Sequence, residues 1–118
     1  MNDATKQFIE SKTKDGVADL AGANLQGANL QGALLSNANL KGAKLSGANL
    51  EGSRLSGANL QGACIRHANL QGADFSGANL TGADLKGAMI VGATFKGRHV
   101  YIHATGELVY VPDPEVQS

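Results

Sequence analysis

The sequence predicts an all-β solenoid: square coils of twenty residues stacked four high, preceded by a short helix and followed by a hairpin and tail. Three observations carry this reading. From Ala18 to Gly97 the chain is sixteen consecutive five-residue units without an insertion. The third position is always large and apolar, with twelve Leu and Ile65, Ile90, Phe75 and Phe95 in the remaining units. The first position is Ala in fifteen units and Ser53 in the other, while the fifth is Gly in fourteen, with Asn37 and His67 as exceptions. The second and fourth positions vary and are mostly polar.

A period of five fits neither simple element. An α-helix advances about 100° per residue, so residues five apart drift around the cylinder and sixteen Leu-class side chains would smear over every face. A flat strand alternates with period two and puts residues five apart on opposite faces. A chain that turns a corner in every unit satisfies the pattern. Four corners close a square, third and first positions point inward, and the other three face solvent. Gly, Asn and His at the fifth position fit a corner that favours a left-handed backbone. Close approach between coils is the alternative reason for the glycines.

Units such as Ala23-Asn24-Leu25-Gln26-Gly27 resemble the A-(D/N)-L-x-x consensus of the pentapeptide-repeat family, and the resemblance covers residues 18–97. It implies a right-handed quadrilateral β-helix. At a strand-like spacing of ~4.8 Å per coil, four coils make a rod roughly 19 Å long.

The chain divides into residues 1–17, an N-terminal helical cap; 18–97, the β-helix; and 98–118, a C-terminal hairpin and extended tail. A capping helix is expected over residues 2–15, with Asn2 or Asp3 as N-cap and Gly16 as its stop. Phe8 and Ile9 are its only large apolar residues, a stripe too thin for a free helix or a membrane anchor, so it must dock over the first coil. After Gly97 the repeat breaks at Arg98. Residues 99–104 and 107–111 read as strands joined at Thr105-Gly106, and Pro112 and Pro114 end regular structure.

Stacking every twentieth residue assigns side chains to walls. Two walls carry near-uniform second-position columns, Asp19, Asn39, Asn59, Asn79 and Asn29, Asn49, Asn69, Met89. Two are mixed: Asn24, Lys44, Cys64, Asp84 and Leu34, Arg54, Asp74, Thr94. Duplication of a ten-residue unit accounts for the contrast, and recognition by the mixed walls is the functional alternative. Arg54 and Asp74 fall on adjacent coils, within reach of an ion pair. Met89 and Val91 occupy outward positions on the last coil where earlier coils carry Asn69 and Gln71. With Tyr101, Ile102, Leu108 and Tyr110 they form the candidate interface, covered by the chain's own tail or by a second subunit in a homodimer through the C-terminal end.

Composition narrows the function. Lys plus Arg is 10 and Asp plus Glu is 10, so the chain lacks the electrostatic footprint of a general nucleic-acid binder. One cysteine excludes an intramolecular disulfide and a multi-Cys zinc site. No apolar run approaches the roughly 18 residues of a membrane span, and the polar first 15 residues do not read as a signal peptide, so the expected location is cytoplasmic. Cys64, Arg66, His67 and Asp84 gather on one mixed wall, but no third strong ligand is set by their spacing and a convex wall offers no pocket. His99 and His103 read as surface strand residues. No catalytic, cofactor-binding or metal residue is expected. The reading is a non-catalytic protein-interaction or structural scaffold with an unknown protein partner, no nucleic acid and no membrane. The resemblance supplies an alternative, a DNA-mimicking modulator of a type II topoisomerase such as DNA gyrase. Such relatives are strongly acidic, whereas the sixteen units here carry four acidic and six basic residues.

Overall fold

The computed structural model describes residues 1–95 in full and the backbone of residues 98–102 and 108–112. Helix α1 spans Asp3–Ser11, and strands β1 (Thr13–Lys14) and β2 (Val17–Ala18) form a short antiparallel hairpin. The repeat follows. Strands β3 (Arg98–Ile102) and β4 (Leu108–Pro112) pair antiparallel, with Val100 opposite Tyr110 and Ile102 opposite Leu108.

Within the repeat the chain returns to the same wall every twenty residues. Twelve parallel bridges join second-position residues on successive coils, from Asp19 with Asn39 to Asp74 with Thr94. Each unit contributes one bridged residue before turning, so the walls are ladders of isolated bridges rather than extended strands. The second-position N–H donates to the first-position C=O of the preceding coil at 2.8–3.0 Å, and the third-position N–H donates to the second-position C=O of the next at 2.7–2.8 Å. The fifth-position N–H reaches the fourth-position C=O of the next coil at 2.8–3.0 Å.

The corner itself is closed by an N–H of the first position on the third-position C=O of the preceding unit, as from Ala23 to Leu20 at 3.0 Å. Only the fifth-position residue, the third of this four-residue turn, has positive φ, which is the requirement of a type II turn. Asn37 and His67 adopt it as the glycines do, at φ 63° and 61°. Backbone conformation therefore explains the glycines. Close approach does not: a Cβ added at Gly22, Gly42 or Gly62 meets no atom within 4 Å. Two positions differ. A Cβ on Gly57 would collide with Asn37 Oδ1, and one on Gly87 with the His67 ring, because each side chain lies over the corner of the next coil.

The fourth-position N–H has no backbone partner, and the second-position side chain supplies one. All ten Asn and Asp residues at second positions accept it through Oδ1, from Asp19 with Ala21 N–H at 3.3 Å to Asp84 with Lys86 N–H at 3.1 Å. The asparagine columns are thus turn chemistry, the side-chain closure Asn and Asp make two residues ahead. With it, every N–H of an ordinary unit is bonded.

The interior follows from the same geometry. Third-position side chains from Leu20 to Leu85 are buried, and Ile90 and Phe95 on the last coil are partly buried. Ala at the first position lines the corners between them, and the buried Ser53 hydroxyl donates to Leu50 C=O at 2.7 Å. Phe75 and Phe95, one coil apart, stack with ring centroids 5.3 Å apart and planes 7° from parallel, as a twenty-residue coil demands.

The N-terminal cap differs from the helix expected over residues 2–15. Asn2 is the N-cap, its Oδ1 accepting Thr5 N–H at 2.9 Å, but the helix ends at Ser11. Asp15 and Gly16, both at positive φ (53° and 77°), make a two-residue hairpin turn rather than a helix stop. The β-branched Thr13 and Val17 beside them favour strand. The hairpin is useful where it stands, because Asp19 N–H donates to Lys12 C=O at 2.9 Å and one wall of the first coil gains a covering strand. Ile9 is buried against the coil, while Phe8 is more than one-third exposed and lines a shallow groove with Asn24, Leu25 and Ala28.

At the other end, β3 begins one residue earlier than expected and β4 ends one residue later, with Pro112 as its last residue. The expected turn at Thr105-Gly106, the residue His103 and the tail beyond Pro112 lie outside the described residues.

Candidate interaction surfaces

Inward positions are filled by hydrocarbon, so any site lies on the outside or at the ends. Outward side chains at second and fourth positions are of two kinds. Most are polar, and the second-position Asn and Asp are committed to their own turns. Among the described residues, the large apolar exceptions are Leu34 (74% exposed), Met89 (48%) and Val91 (77%).

Met89 and Val91 stand on the last coil, next to Asn69 and Gln71 of the coil before. Met89 bridges Asn69 through the backbone, and Gln71 Nε2 approaches its sulfur at 3.8 Å. Of the other candidate residues, Tyr101 and Ile102 lie in β3 and Leu108 and Tyr110 in β4, with Ile102 paired to Leu108.

Leu34 was not singled out by the sequence, although the signal was present: an apolar residue in an outward position, in a column otherwise carrying Arg54, Asp74 and Thr94. It lies at the N-terminal end, beside α1. A groove of about 360 Å³ runs there, lined by Met1, Lys6, Ile9 and Glu10 on the cap side and Gly32 to Leu34 on the coil.

The mixed wall around Cys64 resolves into separate contacts. The Cys64 thiol hydrogen-bonds Ser46 Oγ at 3.1 Å. Arg66 Nε pairs with Asp84 Oδ2 at 3.6 Å, both side chains more than 40% exposed, where ion pairs are worth little. The His67 side chain turns over Gly87. Among the described residues, no three His, Cys, Asp or Glu side chains gather closely enough to hold a metal ion, and no helix is long and apolar enough to cross a membrane. Arg54 and Asp74 are bridged through the backbone on adjacent coils, and Asp74 Oδ1 accepts both the N–H and the hydroxyl of Ser76.

A twenty-residue coil with Leu inside, a left-handed glycine corner and an Asn-closed turn defines a class of repeat protein. The pentapeptide-repeat family profile matches residues 18–57, 33–71 and 58–97, with eight copies, and the chain belongs to that family. Among solved structures it is similar to HetL, a pentapeptide-repeat protein involved in heterocyst differentiation regulation from the cyanobacterium Nostoc sp. strain PCC 7120. That likeness has 43% identity and a TM-score of 0.64, over 77% of this chain and 43% of HetL. It is also similar to a pentapeptide-repeat protein from the thylakoid lumen of Arabidopsis thaliana, with 38% identity and a TM-score of 0.57, over 67% of this chain and 59% of that one. The chain thus spans less than half of the first relative and about three-fifths of the second. QnrB1, a plasmid-mediated fluoroquinolone resistance protein, is 24% identical with a TM-score of 0.40, a likeness too slight to bear on function. No curated protein sequence matches the chain.

Proposed function

We propose that the chain is a non-catalytic protein-interaction or structural scaffold built on a right-handed quadrilateral β-helix. The observation that carries this reading is the pair Met89 and Val91, which present 48% and 77% of their surface to solvent on the last coil. Clustered exposed apolar side chains beside a sheet edge mark a surface that something covers. The partner is another protein or a second copy of the chain joined at the C-terminal end. The relation to HetL, a protein involved in regulation, favours binding over catalysis. The topoisomerase reading requires a column of negative charge along a duplex-like rod. Here Asp19, Asp74 and Asp84 stand on three different walls, and Asp84 is paired with Arg66.

The test replaces the pair with the residues of the preceding coil, Met89→Asn with Val91→Gln, so that the repeat's own pattern preserves the fold. Light scattering and solubility are then compared with the parent chain. A drop in oligomeric mass or a gain in solubility supports the interface. Identical mass and solubility, with unchanged capture of partner from the native host, overturns it. Inhibition of gyrase supercoiling at modest excess would favour the topoisomerase reading instead.

A further inference from the structure

The N-terminal end departs from the repeat independently of Met89 and Val91. Three observations meet at Leu34. Its side chain is 74% exposed at a position where ten other units carry Asn or Asp. Its backbone N–H and C=O, which on later coils bond the coil before, have no hydrogen-bond partner among the described residues. The groove between α1 and Gly32 to Leu34 opens beside it. Asn24 and Asn29 on the same coil also lack backbone partners but carry polar side chains, while the edge of the first wall is covered by β1 and β2, with Asp19 N–H bonded to Lys12 C=O. Exposed edges are ordinarily blunted by charge or covered, and the edge at Leu34 is apolar and open.

We infer that this edge accepts one extended strand from a partner protein, which adds a ladder rung at Leu34 and lays side chains into the groove against Ile9 and Ala33. Continuity with the internal ladder sets the pairing: Arg54 N–H bonds Ala33 C=O, and Leu35 N–H bonds Arg54 C=O, at 2.8 Å each. Leu34 makes the same pair of bonds with the incoming strand. A second copy related by a two-fold axis does not fit. Paired strands lie ~4.8 Å apart, while a helix with its side chains is ~10 Å thick. A two-fold axis at this edge would drive α1 of one copy into the first coil of the other.

Charge defines the strand further. Lys6 and Glu10 line the groove and are not within ion-pair distance of each other. They stand four residues apart on the helix, ~6 Å along its axis. Residues two apart on a strand are separated by ~6.6 Å. The partner strand therefore carries an acidic and a basic side chain two positions apart, flanked by apolar residues. Main-chain bonds supply affinity and these side chains supply specificity.

The test uses the full chain and a fluorescein-labelled, capped heptapeptide of alternating valine and threonine with one glutamate and one lysine two positions apart. Added peptide should slow hydrogen exchange of the Leu34 amide, and binding should register in anisotropy. Leu34→Asn, which restores the repeat's usual residue and so preserves the fold, should weaken binding at least tenfold. A twin peptide with a central proline, lacking the N–H, should bind as poorly. The exchange Lys6→Glu with Glu10→Lys should prefer the peptide whose charges are reversed. No protection at Leu34, equal binding by Leu34→Asn, or a dimer in light scattering that Leu34→Asn abolishes would each overturn the inference. The variant pair at Met89 and Val91 should bind the peptide unchanged, which separates failure here from failure of the C-terminal interface.

Discussion

Replacing Asn59 by Leu should destabilise the chain by about 1 kcal/mol, through the turn and not through packing. Asn59 Oδ1 accepts Gln61 N–H at 3.0 Å, the side chain points outward, and no core contact depends on it. A typical internal hydrogen bond contributes ~0.5–1.5 kcal/mol net, and leaving a buried donor unpaired costs ~1–3. Gln61 is exposed, so water takes over its N–H and the lower range applies. For 118 residues the unfolding entropy is ~0.25 kcal/mol/K, so the loss is a Tm decrease of ~4 °C. Asn59→Asp keeps the acceptor, as Asp19, Asp74 and Asp84 do elsewhere, and should stay within ~0.5 kcal/mol of the parent. Lys44→Asn supplies an acceptor where the unit has none and should gain ~0.5–1 kcal/mol. Equilibrium urea denaturation with thermal melts followed by circular dichroism measures all three. If Asp destabilises as much as Leu, or Lys44→Asn gains nothing, the asparagine columns do not close turns and duplication alone explains them.

The corner and the ring stack make further predictions. Gly52→Ala, at φ 65° with open space around its Cβ, should cost a net ~0.5–1 kcal/mol: left-handed strain of ~1–2 less ~0.4–1 from the stiffer unfolded chain. Gly57→Ala should cost more, because it also displaces Asn37, and Asn37→Gly in the same chain should recover the difference, a coupling of ~0.5–1 kcal/mol by double-mutant cycle in urea. Phe75→Leu should lose the stack on Phe95, worth ~0.5–1.5 kcal/mol, plus some packing, and Phe75→Ala ~3–5. A Phe75→Leu melt equal to that of the parent would mean the rings do not share a wall.

Much of this was legible because a strict repeat states each rule many times. Sixteen apolar third positions set the inward column, and Asn37 and His67 disclosed the backbone at the corner. The bond from Asn Oδ1 to the fourth-position N–H was not legible. A period of five reveals which residues point outward, but not which outward side chain folds back on its own chain. The cap was misjudged for a related reason. Residues 13–18 occur once, and Asp15-Gly16 serves equally as a helix stop or a hairpin turn until pairing with Ala18 decides. At the C-terminal end the departure of Met89 and Val91 from Asn69 and Gln71 is legible in the sequence, and the structure places both side chains in solvent.

The same logic separates functional departures from tolerated ones. A unit without Asn or Asp at its second position gives up one turn bond, and six units do so: those of Leu34, Lys44, Arg54, Cys64, Met89 and Thr94. Lys44 and Arg54 keep a solvated charge outside. Cys64 keeps a hydrogen bond to Ser46. Leu34 and Met89 give up the turn bond and also expose hydrocarbon, with only the long contact of Gln71 Nε2 on the Met89 sulfur in return. They stand on the first and last coils, where the ladder runs out of internal partners. A stack of identical coils can bind another chain through its backbone only at its two ends. Leu34 and Met89, which break the repeat's rule, stand at those ends, and the proposal that each end binds another chain rests on that coincidence of position and chemistry.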